Sequence, residues 1–229
     1  MALNRVQKID DHVRVKTALI SVWDKTGLDL LLNGLLAASP GIRLLSTGGT
    51  HSAIEKLLGP AALGRLQQIS EYTGQPEMAG GLVKTLDFKV YLGLLSETYN
   101  QAHSNDMARC GAVPIDLVVA NLYPFSSTVA LSDCTPETAR ANIDIGGPCM
   151  VRAAAKNFHR VAVLTDTVDY APILAELSEG GGRLSLATRW RLAQKAFTVT
   201  ATYDATISAY LQRLSFSQVA ADYDVGAGS

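Results

Sequence analysis

The sequence predicts an α/β fold in which a mostly parallel sheet is covered by helices on both faces. Short apolar runs recur between helix-length amphipathic stretches. The runs are nearly continuous in apolar character, as strands buried on both faces require. Strands that alternate with helices imply parallel pairing through helical crossovers.

The elements follow in order. Residues 17–22 form a first buried strand, and residues 28–38 a helix after the polar Asp24-Lys-Thr-Gly27 turn. Residues 42–45 form a second strand, Ser46-Thr-Gly-Gly-Thr50 a tight polar turn, and residues 51–58 a helix. Residues 66–70 suit a third strand, and residues 106–111 a helix that Gly111 stops. Ile115-Asp-Leu-Val-Val-Ala120 is the clearest buried strand. Thr135 caps the next helix, with Pro136 at its first position. Residues 161–164 form a last core strand, and Asp166-Thr-Val-Asp169 leads into a helix ending near Leu177. Residues 179–182 read as a linker, and residues 184–214 as one long helix or two. The expected organisation is an α/β core over residues 1–182, a helical extension of the same domain over 183–214, and a loose tail over 215–229.

Composition narrows the function. A chain of 229 residues, 48% hydrophobic and 18% charged, has the make-up of a soluble globular protein with one substantial core. Twenty basic residues against 21 acidic ones give a net charge of −1, which offers no general field for nucleic acid or anionic membrane. An anionic ligand must therefore be held by a local site. Cys110, Cys134 and Cys149 are odd in number and form no Cys-x-x-Cys pair, so a reducing, cytoplasmic setting is expected. The opening residues carry no apolar secretory core, and no run is long enough to span a bilayer.

Ligands of open α/β sheets sit at the carboxyl ends of the strands, and the polar clusters of this chain fall there. Ser46-Thr-Gly-Gly-Thr50 can present hydroxyls and close-approaching backbone to a phosphate at a helix N-terminus, or can be a turn with a capping threonine. Ser21 and Lys25 stand after the first strand, where Lys25 either meets the same phosphate or is solvated. Lys84-Thr85 follows Gly80-Gly81, on an irregular loop where a lysine can neutralise developing charge. Asn121 and Tyr123 follow the strongest strand, as binding groups or as a structural turn. Asn142-Ile-Asp-Ile-Gly-Gly147 precedes a helix that ends in Lys156. Asp144 and Lys156 can act together only if Asp144 lies on a loop that folds back, or if each meets the substrate from a different side. The histidines form no metal-binding spacing.

The ordered series Ser21-Val-Trp-Asp-Lys-Thr-Gly-Leu28, Ser46-Thr-Gly-Gly-Thr50, Tyr72-Thr-Gly-Gln-Pro-Glu-Met78, Val83-Lys-Thr-Leu86, Asn121-Leu-Tyr-Pro-Phe125, Asn142-Ile-Asp-Ile-Gly-Gly147 and Arg152-Ala-Ala-Ala-Lys-Asn157 resembles the inosine monophosphate (IMP) cyclohydrolase domain of the bifunctional purine-biosynthesis enzymes, which also carry a formyltransferase. The resemblance covers nearly the whole chain. It implies a methylglyoxal-synthase-like three-layer fold and closure of 5-formamidoimidazole-4-carboxamide ribotide (FAICAR) to IMP with loss of water. It also implies no cofactor or metal, a homodimer, and a separate formyltransferase upstream in the pathway.

Carried over by the resemblance, Ser21, Lys25, Ser46, Thr47, Gly48, Gly49 and Thr50 surround the ribose phosphate. Thr85, Asn121, Ile145, Gly146 and Gly147 face the base. Lys84, Tyr123, Asp144 and Lys156 form the catalytic set, with an Asp144–Lys156 pair moving protons and Tyr123 and Lys84 stabilising an oxyanion. The segment after Gly81 departs from the family: Leu82 replaces an arginine, Asp87 and Tyr91 replace histidines, and Phe88 replaces a proline. Trp23 stands where a small residue is usual. These departures motivate an alternative, a non-catalytic nucleotide or phosphate sensor on the same fold. A methylglyoxal synthase is a third reading, weakened by the long motifs around Asn121 and Asp144.

Overall fold

The computed structural model describes residues 5–75 and 85–226. Five strands, β2 (Thr17–Val22), β3 (Arg43–Ser46), β4 (Leu66–Gln68), β5 (Leu117–Asn121) and β6 (Ala162–Leu164), form an all-parallel sheet in the order β4-β3-β2-β5-β6. A separate antiparallel pair joins β1 (His12–Arg14) to β7 (Arg183–Ser185). The helices are α1 (Leu28–Ala38), α2 (Gly48–Leu58), α3 (Ile69–Thr73), α4 (Phe88–Leu95), α5 (Gln101–Cys110), α6 (Phe125–Val129), α7 (Pro136–Ala141), α8 (Gly146–Lys156), α9 (Tyr170–Glu179), α10 (Leu186–Leu211) and α11 (Phe216–Ala220).

Successive strand residues point to opposite faces, and the core divides accordingly. Ala18, Ile20 and Val22 of β2 join Leu44, Leu117 and Val119 beneath the apolar faces of α1 and α9. Leu19 points the other way, with Leu45, Val118 and Val163, toward α4, α8 and α10. Ala153, Ala154 and Ala155 of α8 are small enough for α10 to pack closely over them. This is a three-layer α/β architecture of the expected class.

Several boundaries differ from the sequence expectation. The third strand is cut to Leu66–Gln68 because Ile69 turns into the core and starts α3. The turn expected at residues 46–50 is the end of β3 followed at once by α2, so its glycines are the first helical turn. The stretch 179–182 closes a turn that lets β7 return along β1. Gly182 takes φ 81°, and a Cβ there would lie 2.8 Å from the Ala38 carbonyl, which excludes a larger residue. Only then does α10 begin, capped by Ser185 and unbroken for 26 residues. Residues 215–226, read from sequence as a loose tail, carry α11 with a Ser215–Gln218 capping box. That segment docks on α7, where Asp222 Oδ2 accepts the Glu137 N–H at 2.8 Å.

The amino ends of the strands are locked by a buried ion pair. Asp116 Oδ2 accepts the amides of Lys16 and Thr17 at 2.9 and 3.0 Å, while its Oδ1 accepts from Arg160 Nη1 at 3.1 Å. The same guanidinium donates to the carbonyls of Gly93, Ser96 and Ile115. Both side chains are less than a tenth exposed. Removing one partner strands a buried charge, so Arg160→Leu is expected to lower the unfolding free energy by about 3–5 kcal/mol in urea titrations. The double variant Asp116→Leu/Arg160→Leu should lose less than the sum of the single changes.

Candidate active site

At the opposite, carboxyl ends of the strands lies a cavity of about 390 Å³. Lys25 and Asp144 are its charged lining residues among those described, and they come from different elements. One wall is a cluster of hydroxyls. Ser21 Oγ and Thr47 Oγ1 are 2.8 Å apart, joining β2 to the N-terminus of α2. Thr50 Oγ1 accepts the Val22 N–H at 3.1 Å and donates to the Val22 carbonyl at 2.9 Å. Lys25 Nζ donates to the carbonyls of Val22 and Trp23 at 3.3 and 3.2 Å, which holds its charge at the strand end. The first-turn amides of α2 belong to the same wall, since Thr47 stands at the N-cap of that helix and Thr50 lies in its first turn, and such amides have no acceptor within the helix. Hydroxyls, a cation and a helix N-terminus together suit an anionic oxygen cluster.

The expected site residues do not all reach this space. Ser21, Lys25, Thr47, Gly49, Thr50, Thr85, Asn121, Tyr123, Asp144, Ile145, Gly146 and Gly147 line it. Ser46 does not: it is fully buried, and its hydroxyl donates to the Ile20 carbonyl at 2.8 Å, so it ties β3 to β2. Gly48 is not among the lining residues either, although it opens α2 beside them. Lys84 and Leu82 lie outside the described residues.

Asn121 lines the cavity, but its amide group is already engaged. Oδ1 accepts the N–H groups of Trp23 and Asp24 at 2.6 and 3.0 Å, and Nδ2 donates to the Asp24 carbonyl at 2.7 Å. It shapes the loop after β2, a role its place at a strand end does not disclose.

Lys156 lies away from the cavity within this chain. It is the exposed last residue of α8, whereas Asp144 precedes the first turn of the same helix. At ~1.5 Å per residue the two stand roughly 15 Å apart along the axis, so they form no pair within the chain. Lys156 does not line the cavity.

Asp144 is instead organised by amides and by a distant tyrosine. Its Oδ1 accepts the Gly147 N–H at 2.8 Å, and its own N–H donates to Tyr203 Oη at 2.7 Å. Burial pushes the Asp144 carboxyl above the usual carboxylate range, against the opposing pull of the backbone amides of Gly147 and Tyr123. Gly147 has to be small: a Cβ there would lie 2.9 Å from both Asp144 Cγ and Leu122 Cδ2 and would collide with Oδ2. Likewise, a Cβ on Gly146 would meet Thr85 Oγ1 at 2.8 Å. Tyr203 belongs to α10, 59 residues from Asp144. The sequence does not mark it, because it is one aromatic on the apolar face of a long helix, packed edge-on to Phe125. Trp23, Asn142 and Ile143 also line the cavity.

The altered segment after residue 84 has structural roles where it is described. Asp87 caps α4, accepting the Lys89 N–H at 2.7 Å. Lys89 reaches the Tyr72 carbonyl at 3.0 Å, and Tyr91 turns inward with its hydroxyl buried near Cys149. Among the described residues no group of three His, Cys, Asp or Glu side chains is placed to hold a metal ion.

Comparisons with known proteins identify the family and agree with the fold. Residues 35–149 match the MGS-like domain family, and residues 154–226 match the AICARFT/IMPCHase bienzyme family. The bifunctional purine biosynthesis protein PurH of Magnetococcus marinus is 48% identical over 201 residues, which cover 88% of this chain and 36% of the relative. PurH of Neisseria meningitidis is 46% identical over 212 residues, covering 93% and 39%, and PurH of Xanthomonas euvesicatoria is 49% identical over 210, covering 92% and 38%. The chain thus spans less than two fifths of the length of these relatives. The crystal structure of ForH superposes with a TM-score of 0.71 at 34% identity, covering 86% of this chain and 99% of that one.

Two outcomes follow from Asp144. Its carboxyl holds a proton more tightly folded than unfolded, so its ionisation opposes folding once the pH rises through the folded value. Asp144→Asn keeps an acceptor for Gly147 and is expected to raise the unfolding free energy at pH 7, with the gain shrinking as the pH falls toward 4. A gain of equal size at both pH values would contradict the shift. Tyr203→Phe is expected to leave the Asp144 amide unsatisfied and to cost about 1–3 kcal/mol in urea unfolding.

Proposed function

The chain belongs to the MGS-like family, as the cyclohydrolase region of the AICARFT/IMPCHase bienzymes, and on that premise we propose that it closes FAICAR to IMP with release of water. The observation that carries the proposal is the meeting, in one cavity, of the hydroxyl and lysine cradle with Asp144 and Tyr123. The cradle suits the ribose phosphate, and the Asp144 wall suits the imidazole substituents. The proposal concerns ring closure alone, with the formyl group put on the substrate by a separate formyltransferase. A cytoplasmic homodimer belongs to the same reading; no described helix is long and apolar enough to cross a membrane.

The chemistry needs a weak nucleophile to attack a weak electrophile. The carboxamide nitrogen adds to the formyl carbon, forming the N–C bond of the new ring, and one N–H proton passes to the formyl oxygen. The C–O bond of the resulting carbinol then breaks: its hydroxyl leaves as water with the proton given up by the former formamido nitrogen, and a C=N bond forms. Asp144 is the base we assign to the carboxamide proton. Its raised proton affinity brings it nearer the working pH, where a general base is most effective. The Tyr123 hydroxyl and Lys84 are assigned to the oxyanion on the formyl oxygen. Asn121, Gly146 and Gly147 give the cavity its shape, and Asn121 acts by fixing the loop over the cradle. Lys156 is left out of proton transfer because it stands at the far end of α8.

The direct test follows IMP formation by absorbance after mixing the protein with FAICAR. Product above the spontaneous rate is expected; nucleotide binding without turnover would favour the sensor reading. Asp144→Asn is expected to lower kcat by about 10²–10⁴, and Lys84→Ala to lower kcat more than it weakens IMP binding. Lys156→Ala should retain turnover within a few-fold. A loss as deep as that of Asp144→Asn would mean that a second subunit brings this lysine to the site.

A further inference from the structure

Trp23 follows β2 on a backbone held from both sides. Its N–H donates to Asn121 Oδ1 at 2.6 Å, and its carbonyl accepts from Lys25 Nζ at 3.2 Å. The next residues are fixed as well, since Asp24 Oδ1 accepts both the N–H and the hydroxyl of Thr26, at 2.9 and 2.7 Å. Hydrogen bonds thus fix the backbone that carries the indole, and Trp23 lines the cavity while remaining 53% exposed. The chain has two tryptophans. The other, Trp190, packs edge-on to Phe158 with centroids 4.8 Å apart. Among the described aromatic and cation–π contacts, Trp23 has none.

An open aromatic face on a fixed backbone, beside a cradle for an anion, is preorganised for a flat ligand. Binding there removes apolar surface from water without ordering a mobile loop. The hydroxyls and Lys25 select only for the anionic group; the indole adds selection for a ring. We infer that Trp23 is a specificity-determining residue, which stacks on a planar heteroaromatic ring joined to the phosphorylated sugar. This rests on the cyclohydrolase reading and deepens it by assigning ring recognition to a residue outside the acid–base set. A face-to-face or offset contact of this kind is worth roughly threefold to tenfold in affinity.

The Trp190→Phe variant leaves Trp23 as the sole indole and alters a residue outside the cavity. Its emission is followed during titration with IMP and with ribose 5-phosphate, which lacks the ring, while calorimetry on the same variant records binding. IMP is expected to change the emission with the midpoint seen by calorimetry, and ribose 5-phosphate to bind without that change. In the otherwise unaltered chain, Trp23→Ala is expected to weaken IMP threefold to tenfold and ribose 5-phosphate less than twofold, and Trp23→Phe to recover most of the loss. IMP binding with unchanged emission would overturn the inference, as would equal weakening of both ligands by Trp23→Ala, the mark of a disturbed loop. Absence of any IMP binding by calorimetry would overturn the cyclohydrolase reading itself, and this inference with it.

Discussion

The parallel pairing of β2 with β5 frames the cavity, placing Ser21 beside the strand end that leads into Asn121 and Tyr123. In its register Ser21 faces Ala120 and Val22 faces Asn121. A slip of one residue would send each side chain of β2 to the wrong layer of the core. The pairing is locked at both ends by side chains. At the amino end, Asp116 takes the amides of Lys16 and Thr17 and is held in turn by Arg160. At the carboxyl end, Asn121 takes the amides of Trp23 and Asp24. The central strands are therefore fixed by apolar burial, by buried hydrogen bonds at the amino end and by exposed ones at the carboxyl end, which apolar packing alone would not specify.

The cavity follows from that frame. β2 and β3 end side by side, so the hydroxyls of Ser21, Thr47 and Thr50 meet and bond to one another and to the backbone. β5 ends next to them and delivers Tyr123, while the loop before α8 closes the space with Asp144. That loop is anchored by a helix from the far end of the chain, through the bond from the Asp144 N–H to Tyr203. Gly147 leaves room for the carboxylate against its own helix. Partial burial then raises the proton affinity of Asp144, which links the packing of α10 to the chemistry of the site.

Much of this was legible in the sequence because it is local. β2 and α1 appear over the stretches their composition marks, and the Thr135 cap and Pro136 start α7 as their chemistry dictates. The clustering of polar residues at strand ends located the cavity. Long-range facts were not legible. The pairing of β1 with β7 depends on where two short, half-exposed segments meet. The apolar run of α4 carries little polar alternation to mark it as a helix, and the role of Asp87 as its cap shows only once the helix is in place. Asn121 looked like a ligand group, and only the three-dimensional loop discloses that its amide is engaged. Asp144 and Lys156 form no direct pair within the chain, since an unbroken helix separates the two.

The central claim is that one cavity holds the phosphate at the strand-end cradle and the forming ring at Asp144. A crystal structure of the chain with bound IMP tests it most directly. The account predicts phosphate oxygens within hydrogen-bond distance of Thr47, Thr50 and the first amides of α2, and the newly formed N–C edge of the ring facing Asp144. Nucleotide bound with its phosphate at Asp144, or seated outside this cavity, would contradict it.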